Sequence, residues 1–281
     1  GNIFRENKKI TKSDISVTLI KKKSDHQWFV LCKPAKKIKE NDIIIFSNTF
    51  NAEVFFKSKS KIILSFNFKG NKLISQILKF GTVPLPPYIL KKRNIRNDDK
   101  FSYQSIFAKN FGAVAASTAS LHFDKKILNK LKEKKIKYAF ITLHVGGGTF
   151  LPIKTKNIED HQMHSEWGSV SKKTIDLIQK TKESGGRIIP VGTTSLRILE
   201  TAFSRKNCLL PFEGETNIFI KPGYKFILTD GLITNFHLPK STLIILVSAF
   251  LGTNQTLDLY KHAIDQNYKF FSYGDCCLLF R

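Results

Sequence analysis

The chain has 281 residues, enough to bury a substantial core in one large or two modest domains. Its longest apolar run, residues 243–251, is too short to cross a bilayer and predicts a buried helix, so the sequence gives no sign of a membrane-spanning protein. The formal net charge of +24 leaves nucleic-acid binding open without establishing it, because only seven of the 46 basic residues are arginine and a lysine-rich composition can reflect genome bias.

The start of the chain and its cysteines favour a cytoplasmic protein. The first residue is glycine, and no apolar segment typical of a signal peptide follows it. We therefore also expect that the chain begins part-way through its natural sequence. The four cysteines form no C-x-x-C pair, which predicts reduced thiols.

Residues 1–82 predict a β-barrel-like domain or a meander of short strands. Alternating or apolar runs occur at 15–20, 28–31, 43–46, 52–56 and 62–68, with polar turn residues between them, and a brief helix is expected at 73–80. Lysines crowd this part at 21–23, 33–39 and 57–61. They indicate either the solvated face of the strands or a surface that follows a phosphate backbone.

The proline-rich segment 83–88 breaks regular structure and marks a domain boundary. Residues 83–100 are therefore assigned to a linker or surface loop. Residues 101–281 are assigned to an α/β domain, because strand-like and helix-like patterns alternate from there on. The predicted fold class is thus a two-domain α/β or α+β protein, an α/β sheet domain with a small β-barrel domain inserted in the chain.

In the second part, Asp124 and Ser171 are predicted to cap helices, and the runs 137–143 and 187–192 are predicted to be buried strands. The second run leads directly into Thr193, Thr194 and Ser195. Hydroxyls and free N–H groups at a helix start can bind an anion, although a plain helix cap would explain any one of these hydroxyls.

Towards the C-terminus, 218–220 and 224–228 predict paired strands around a turn at Pro222 and Gly223. Residues 229–239 predict polar groups at a strand end, before a helix capped by Ser241. A last helix near 256–265 leads to 268–275. Because side chains at strand ends gather ligands in α/β sheets, these polar groups are candidates for a site.

The densest group of candidate residues is a glycine loop followed by two histidines. Three consecutive glycines let the backbone approach a ligand closely, which indicates the floor of a pocket. His161 and His164, with Glu166, could instead bind zinc in a metal-dependent hydrolase, but a clear third ligand is missing and no metal is assigned. The loop residues are Gly146, Gly147, Gly148 and Thr149.

Taken together, these motifs resemble the S-adenosylmethionine:tRNA ribosyltransferase-isomerase family. The likeness runs in matching order along nearly the whole chain after the proline-rich boundary, whereas the β-rich part matches only loosely. It is carried by YQSIF at 103–107, GAVAA at 112–116, TA at 118–119, LHF at 121–123, LHVGGGTF at 143–150, HQMHSEW at 161–167, VGTTSLRILE at 191–200, TDGLITNFHLPKS at 229–241 and FFSYGD at 270–275.

The resemblance implies an enzyme of queuosine biosynthesis that acts on tRNA carrying 7-aminomethyl-7-deazaguanine at the wobble position. The ribosyl part of S-adenosylmethionine is transferred to the aminomethyl group and rearranged to an epoxycyclopentanediol, with release of adenine and methionine. S-adenosylmethionine is then a co-substrate, and no cofactor is permanently bound. The family also implies an α/β domain beside an inserted β-barrel. We expect a cytoplasmic monomer.

The sequence departs from the family pattern at three places. Ser117 stands where proline is usual, and Ser120 stands where glycine is usual. The family's first several dozen residues, which include an Asn-rich strand segment, have no counterpart here. If that segment supplies strands to the α/β sheet, we expect the sheet of this chain to be incomplete.

The implied chemistry assigns roles to the candidate residues. Loss of the proton at C5′, next to the sulfonium, needs a general base, and a histidine suits that task. His122 and His144 are the first candidates, and His164 and His237 are the next. Glu166 and Asp275 are candidates to hold the cationic aminomethyl group or the methionine ammonium. The remaining candidates for binding the donor or the nucleotide are Gly146, Gly147, Gly148, Thr149, His161, Thr193, Thr194, Ser195, Arg197, Asn235 and Tyr273.

Two other functions remain open at this point. One is the metal-dependent hydrolase named above. The other is a non-catalytic tRNA-binding remnant, suggested by the lysine content and by the missing front segment.

Overall fold

The computed structural model describes residues 2–5, 8–11, 14–59, 61–110, 112–146, 153, 155, 157–204 and 208–281. The chain divides into two compact units, the first of residues 1–93 with 112–114 and the second of residues 94–111 with 115–281. The division after Arg93 falls inside the segment 83–100, which the sequence assigns to a linker.

The first unit contains a seven-stranded antiparallel sheet. Its order is β2-β1-β5-β6-β7-β4-β3, and the strand runs predicted between residues 15 and 68 are confirmed. The strands are β1 (Asn2–Arg5), β2 (Lys8–Thr11), β3 (Ser16–Lys22), β4 (Gln27–Lys33), β5 (Ile43–Ile45), β6 (Asn51–Lys57) and β7 (Ile62–Phe66).

One face of this sheet is packed on helix α1 (Gly70–Phe80). The helix presents Leu73, Ile74 and Ile77, spaced to form one apolar stripe, to a core that includes Ile44 and Leu64. The helix predicted at 73–80 is therefore confirmed.

Two short helices, α2 (Pro87–Leu90) and α3 (Asp99–Ser102), occupy part of the segment expected to lack regular structure. That expectation is wrong at 87–90, where the amide of Ile89 donates to the carbonyl of Pro86. Proline fits the first helical position because its missing N–H has no intrahelical acceptor there.

The second unit combines helices with two small sheets, so the mixture of helices and strands in several sheets is confirmed. The described ladders are antiparallel, and a single parallel bridge joins Val191 to Ile233. The sheets are β10-β9-β8, formed by β8 (Thr142–His144), β9 (Glu166–Val170) and β10 (Phe212–Thr216), and β11-β12, formed by β11 (Gly231–Asn235) and β12 (Cys276–Phe280).

Three helix caps predicted from the sequence are confirmed. The side chains of Asp124, Ser171 and Ser241 each accept a hydrogen bond from the amide three residues later. The helices of this unit, besides α3, are α4 (Lys125–Glu133), α5 (Lys172–Glu183), α6 (Thr193–Ser204), α7 (Thr242–Leu251) and α8 (Thr253–Asp265).

Four predicted strands differ from the structure. Within 137–143 only the last two residues join a ladder, and 187–192 forms a single bridge, because Pro190 has no N–H to donate to a ladder. Residues 218–220 and 224–228 form no strand, although the amide of Tyr224 donates to the carbonyl of Lys221 at the predicted turn.

Among the described residues, no single helix is long and apolar enough to cross a membrane. Helices α7 and α8 meet at an angle of 114°. Only when the two are taken together do they have the length and apolar composition of a membrane-spanning segment.

Candidate functional site

A single segment of the second unit, residues 115–122, touches three elements that carry candidate residues. The amide of Ala115 donates to the carbonyl of Val145 (3.3 Å), immediately before Gly146. The hydroxyl of Ser117 lies 3.2 Å from the place that a Cβ at Gly192 would occupy, and Gly192 precedes α6 with φ +93°. The segment ends in a 3-10 turn (Thr118–His122) at β11. It therefore links the end of β8, the start of α6 and the end of β11.

His122 and Asn235 are brought together at the β11 end of this segment. The amide nitrogen of Asn235 lies 3.1 Å from Nε2 of His122. Because an amide nitrogen can only donate, Nε2 of His122 is the acceptor in this contact and directs its lone pair at Asn235. Asn235 is 2% exposed, and its Oδ1 is buried without a hydrogen-bond partner among the described residues. A buried acceptor without a donor is costly, so this amide is a candidate ligand-binding group.

Helix α6 begins with three buried hydroxyl residues, Thr193, Thr194 and Ser195. The hydroxyl of Ser195 donates to the carbonyl of Val191 at 2.8 Å, which holds the turn before the helix. The first amides of a twelve-residue helix have no intrahelical acceptor and carry the positive end of its dipole. The start of α6 can therefore accept an anionic group.

Glu166 and Arg197 form a buried ion pair. Nη1 of Arg197 lies 2.5 Å from Oε2 of Glu166, and both side chains are almost fully buried. The guanidinium also donates to the carbonyl of Ile218 (3.1 Å). Burial lowers the pKa of Arg197, and the nearby Glu166 opposes that shift. The pair joins β9 to α6 and to the chain after β10. Each of its two charges is already neutralised by the other.

His144 and Glu166 are not brought together, because they lie on opposite faces of the β10-β9-β8 sheet. His144 is directly opposite Trp167, and their rings meet edge to face with centroids 4.8 Å apart. Side chains alternate along a strand, so Glu166 points to the other face, towards α6. His164 is exposed, and its carbonyl accepts from Arg197 (3.5 Å).

His237 is buried in a polar contact of its own. Its Nε2 lies 2.7 Å from the hydroxyl of Thr234, and its amide donates to the hydroxyl of Tyr260 (2.8 Å). Burial lowers the pKa of His237 to about 4, so the imidazole is neutral at pH 7. Burial likewise raises the pKa of Tyr260. A neutral, hydrogen-bonded and enclosed imidazole is suited to support β11 rather than to exchange protons with a ligand.

The remaining candidates lie in separate contacts. The ring of His161 packs edge to face on Phe219 (5.6 Å), and its buried Nε2 has no partner among the described residues. Tyr273 donates to Asp99 (3.2 Å), and a carboxylate oxygen of Asp275 accepts from the amide of Lys269 (2.7 Å). Gly147, Gly148 and Thr149 lie outside the described residues, whereas Gly146 lies next to Ser165.

Glu200, which the sequence did not single out, is a buried carboxylate in α6 that organises the chain before β11. It is 1% exposed and accepts from the amides of Leu228 (3.2 Å) and Thr229 (3.1 Å), from the hydroxyl of Thr229 (2.8 Å) and from the amide of Ile227. Burial and the charge of Glu200 raise the pKa of Tyr224 to about 12. The available signal was an acidic residue inside the otherwise apolar run of α6.

No group of three or more histidine, cysteine, aspartate or glutamate side chains is placed to hold a metal ion within the part of the chain that the structure describes. The zinc arrangement considered for His161, His164 and Glu166 is thus not assembled there, since the Glu166 carboxylate is bound by Arg197.

Comparisons with known proteins match this chain along nearly its whole length. The model of a family described as "Queuosine biosynthesis protein" matches residues 3–279. A protein of Zymomonas mobilis named S-adenosylmethionine:tRNA ribosyltransferase-isomerase is 48% identical over 98% of this chain and 80% of its own length. A protein of the same name from Bradyrhizobium diazoefficiens is 49% identical over 96% of this chain and 76% of its own length.

Among solved structures, an S-adenosylmethionine tRNA ribosyltransferase from Thermotoga maritima is 30% identical. The match covers 95% of this chain and 75% of that one, with a TM-score of 0.49.

Proposed function

The chain belongs to the queuosine biosynthesis protein family, and we propose that it acts as an S-adenosylmethionine:tRNA ribosyltransferase-isomerase. It transfers the ribosyl part of S-adenosylmethionine to 7-aminomethyl-7-deazaguanine at the tRNA wobble position and isomerises it to an epoxycyclopentanediol. Adenine and methionine leave, so S-adenosylmethionine is a consumed co-substrate. The observation that carries this function is identity of 48% over 98% of the chain to a relative of that name.

His122 is the general base that removes the proton at C5′ of the donor. Its Nε2 gives up the hydrogen bond from the Asn235 amide when the donor binds, and the freed lone pair takes the proton. Its imidazole is half-buried, and the contact with Asn235 fixes the orientation of its ring. The positive sulfur already acidifies the C5′ proton, so the imidazole of a histidine is a sufficient base. His122 is preferred to His237, which is enclosed and bonded to Thr234, and to His164, which is exposed.

The donor lies against the start of α6 and Gly146. Thr193 and Thr194 offer buried hydroxyls and helix-start amides to its polar groups. Oδ1 of Asn235, which has no partner among the described residues, accepts a hydrogen bond from the substrate, and this bond offsets the cost of its burial. Glu166 and Arg197 act through each other as positioning residues, because their buried ion pair fixes α6 on β9.

The cationic groups of the substrates need an acceptor that is not already neutralised. Asp275 is half-buried, and one of its oxygens accepts the amide of Lys269. The carboxylate keeps further acceptor sites with which it can bind an ammonium group. Tyr273, two residues earlier, and His161 complete the proposed binding residues.

The proposal also includes the domain boundaries, the oligomeric state and the cellular compartment of the protein. Residues 1–82 form the barrel-like domain, 83–100 the linker and 101–281 the catalytic domain, which the seven-stranded sheet and the division after Arg93 support. The enzyme works as a monomer in the cytoplasm without a permanently bound cofactor. Its four cysteines are free thiols, which supports a reducing compartment.

The direct test is to incubate the protein with S-adenosylmethionine and tRNA that carries the precursor base. We expect adenine release in proportion to the mass gained by the tRNA, and none with tRNA that has an unmodified guanine at the wobble position. Binding of the precursor tRNA without adenine release would contradict the activity and favour a tRNA-binding remnant. Dependence on stoichiometric zinc would favour the hydrolase.

A further inference from the structure

The seven-stranded sheet of the first unit has two unequal faces. Its inner face is packed on α1, whereas its outer face carries large apolar side chains in contact with solvent. Phe55 is 52% exposed, Phe56 is 41% exposed and Leu31 is 60% exposed. About half of each of these apolar side chains is in contact with water, and an exposed apolar cluster of this kind marks a candidate interaction surface.

The strand register aligns part of this face into a row. Phe56 of β6 is opposite Ile63 of β7, Ile63 is opposite Phe29 of β4, and Phe29 is opposite Lys21 of β3. Residues directly opposite in a sheet share a face, so two aromatic rings, one aliphatic side chain and one lysine run across four strands. A bulge between Val54 and Phe56 leaves Phe55 exposed beside the row.

One lysine contacts a ring of this face, and another lies further along the same face. The ammonium group of Lys23 lies 5.3 Å from the centroid of the Phe55 ring, and Lys33 is exposed two residues beyond Leu31 on the same face of β4. Glu53, opposite Ser65 on that face, is an opposing charge. Residues 1–93 as a whole contain 20 lysines and arginines against six aspartates and glutamates, so they account for 14 of the formal net charge of +24.

We infer that this outer face binds unpaired nucleotides of RNA, with bases stacked on Phe55 and Phe56 and phosphates neutralised by Lys21, Lys23 and Lys33. Exposed rings can stack on any base, and lysines attract the phosphate backbone without reading sequence. Paired RNA buries its bases and offers the rings nothing to stack on. The inference deepens the proposed function, since it assigns the part of the chain that holds the single-stranded region of the tRNA.

The experiment measures the affinity of the full chain for three RNA probes: a single-stranded oligoribonucleotide, a hairpin with an unpaired loop and a blunt duplex. We expect the duplex to bind more weakly than the other two. Replacement of both rings (Phe55→Leu with Phe56→Leu) is expected to weaken binding of the unpaired probes about tenfold or more, because stacking contributes about 1–3 kcal/mol per base. The duplex affinity should change little.

Matched variants separate stacking from general effects. Phe55→Tyr with Phe56→Tyr keeps the rings and should keep the affinity. Phe101→Leu is the control, since this 73% exposed ring has Lys100 within 5.1 Å but lies outside the sheet. Lys23→Gln should lower the slope of log affinity against log salt by about one. Thermal unfolding of each variant verifies that these exposed substitutions leave the fold intact.

Three results would overturn the inference. They are equal affinity of the double leucine variant and the unchanged protein for the unpaired probes, equal affinity for duplex and loop, and a change from dimer to monomer in the double variant without a change in RNA affinity. The last would assign the face to a second copy of the chain. These binding results do not depend on turnover, whereas absent adenine release from the unchanged protein would contradict only the proposed function.

Discussion

Single side chains of the second unit hold main-chain segments that are far away in sequence. Arg197 and Glu200 are three residues apart in α6, a spacing that allows a pair along the helix. Instead Arg197 binds Glu166 of β9, and Glu200 binds the amides of Leu228 and Thr229. The residue types were readable from the sequence, but their partners depend on tertiary contacts that spacing does not contain.

His237 gives a prediction at this scale. Its pKa is about 4 in the folded protein against an ordinary value of 6.5, so the unfolded chain takes up the proton first as the pH falls. The stability that neutral His237 contributes is therefore present above pH 6.5 and is lost as the pH falls towards 4. Between pH 7 and pH 5 the loss amounts to about 2 kcal/mol.

The variant His237→Gln can still bond to Thr234 but cannot titrate. We expect its free energy of unfolding in urea to fall about 2 kcal/mol less than that of the unchanged protein between pH 7 and pH 5. Identical pH dependence of the two proteins would show that His237 does not titrate as its burial requires.

At the scale of elements, the packing of α6 on the β10-β9-β8 sheet positions the candidate site. The two elements meet at Gly168, where a Cβ would come within 2.5 Å of Cδ1 and 2.8 Å of Cγ1 of the fully buried Ile198. Glycine at this place lets α6 approach β9 closely enough for Arg197 to reach Glu166.

The variant Gly168→Ala is accordingly expected to lower the free energy of unfolding by about 1–3 kcal/mol through overpacking. Adding Ile198→Val removes the Cδ1 methyl, so the double variant should be more stable than the sum of the two single effects predicts. Chemical denaturation of the four proteins measures this coupling. Strict additivity would mean that the two side chains do not compete for space.

The elements that the sequence predicted correctly depend on local chemistry. The caps at Asp124, Ser171 and Ser241 need only a side-chain oxygen and an amide three residues on. The strand predicted at 224–228 failed because the amides of Ile227 and Leu228 donate to Glu200 instead of to a neighbouring strand. An apolar run predicts burial, but it does not say which acceptor its amides will find.

At the scale of the whole molecule, the motifs are scattered in sequence and converge through residues 115–122. That segment contacts Val145 and Gly192 and places His122 on Asn235, 113 residues further along the chain. The sequence identified these motifs and the family they resemble. It left four histidines as candidates for the base. Only the tertiary structure distinguishes an enclosed imidazole, such as that of His237, from one that lies where several motifs meet, such as that of His122.

The most direct test of this convergence is the turnover number for adenine release by His122→Gln with saturating S-adenosylmethionine and precursor tRNA. General-base catalysis contributes about 100-fold or more, so we predict at least that loss with tRNA affinity unchanged. Asn235→Leu should lose part of the rate, and His262→Gln, at an exposed histidine of α8, should lose none. A turnover number for His122→Gln within twofold of the unchanged protein would contradict the account.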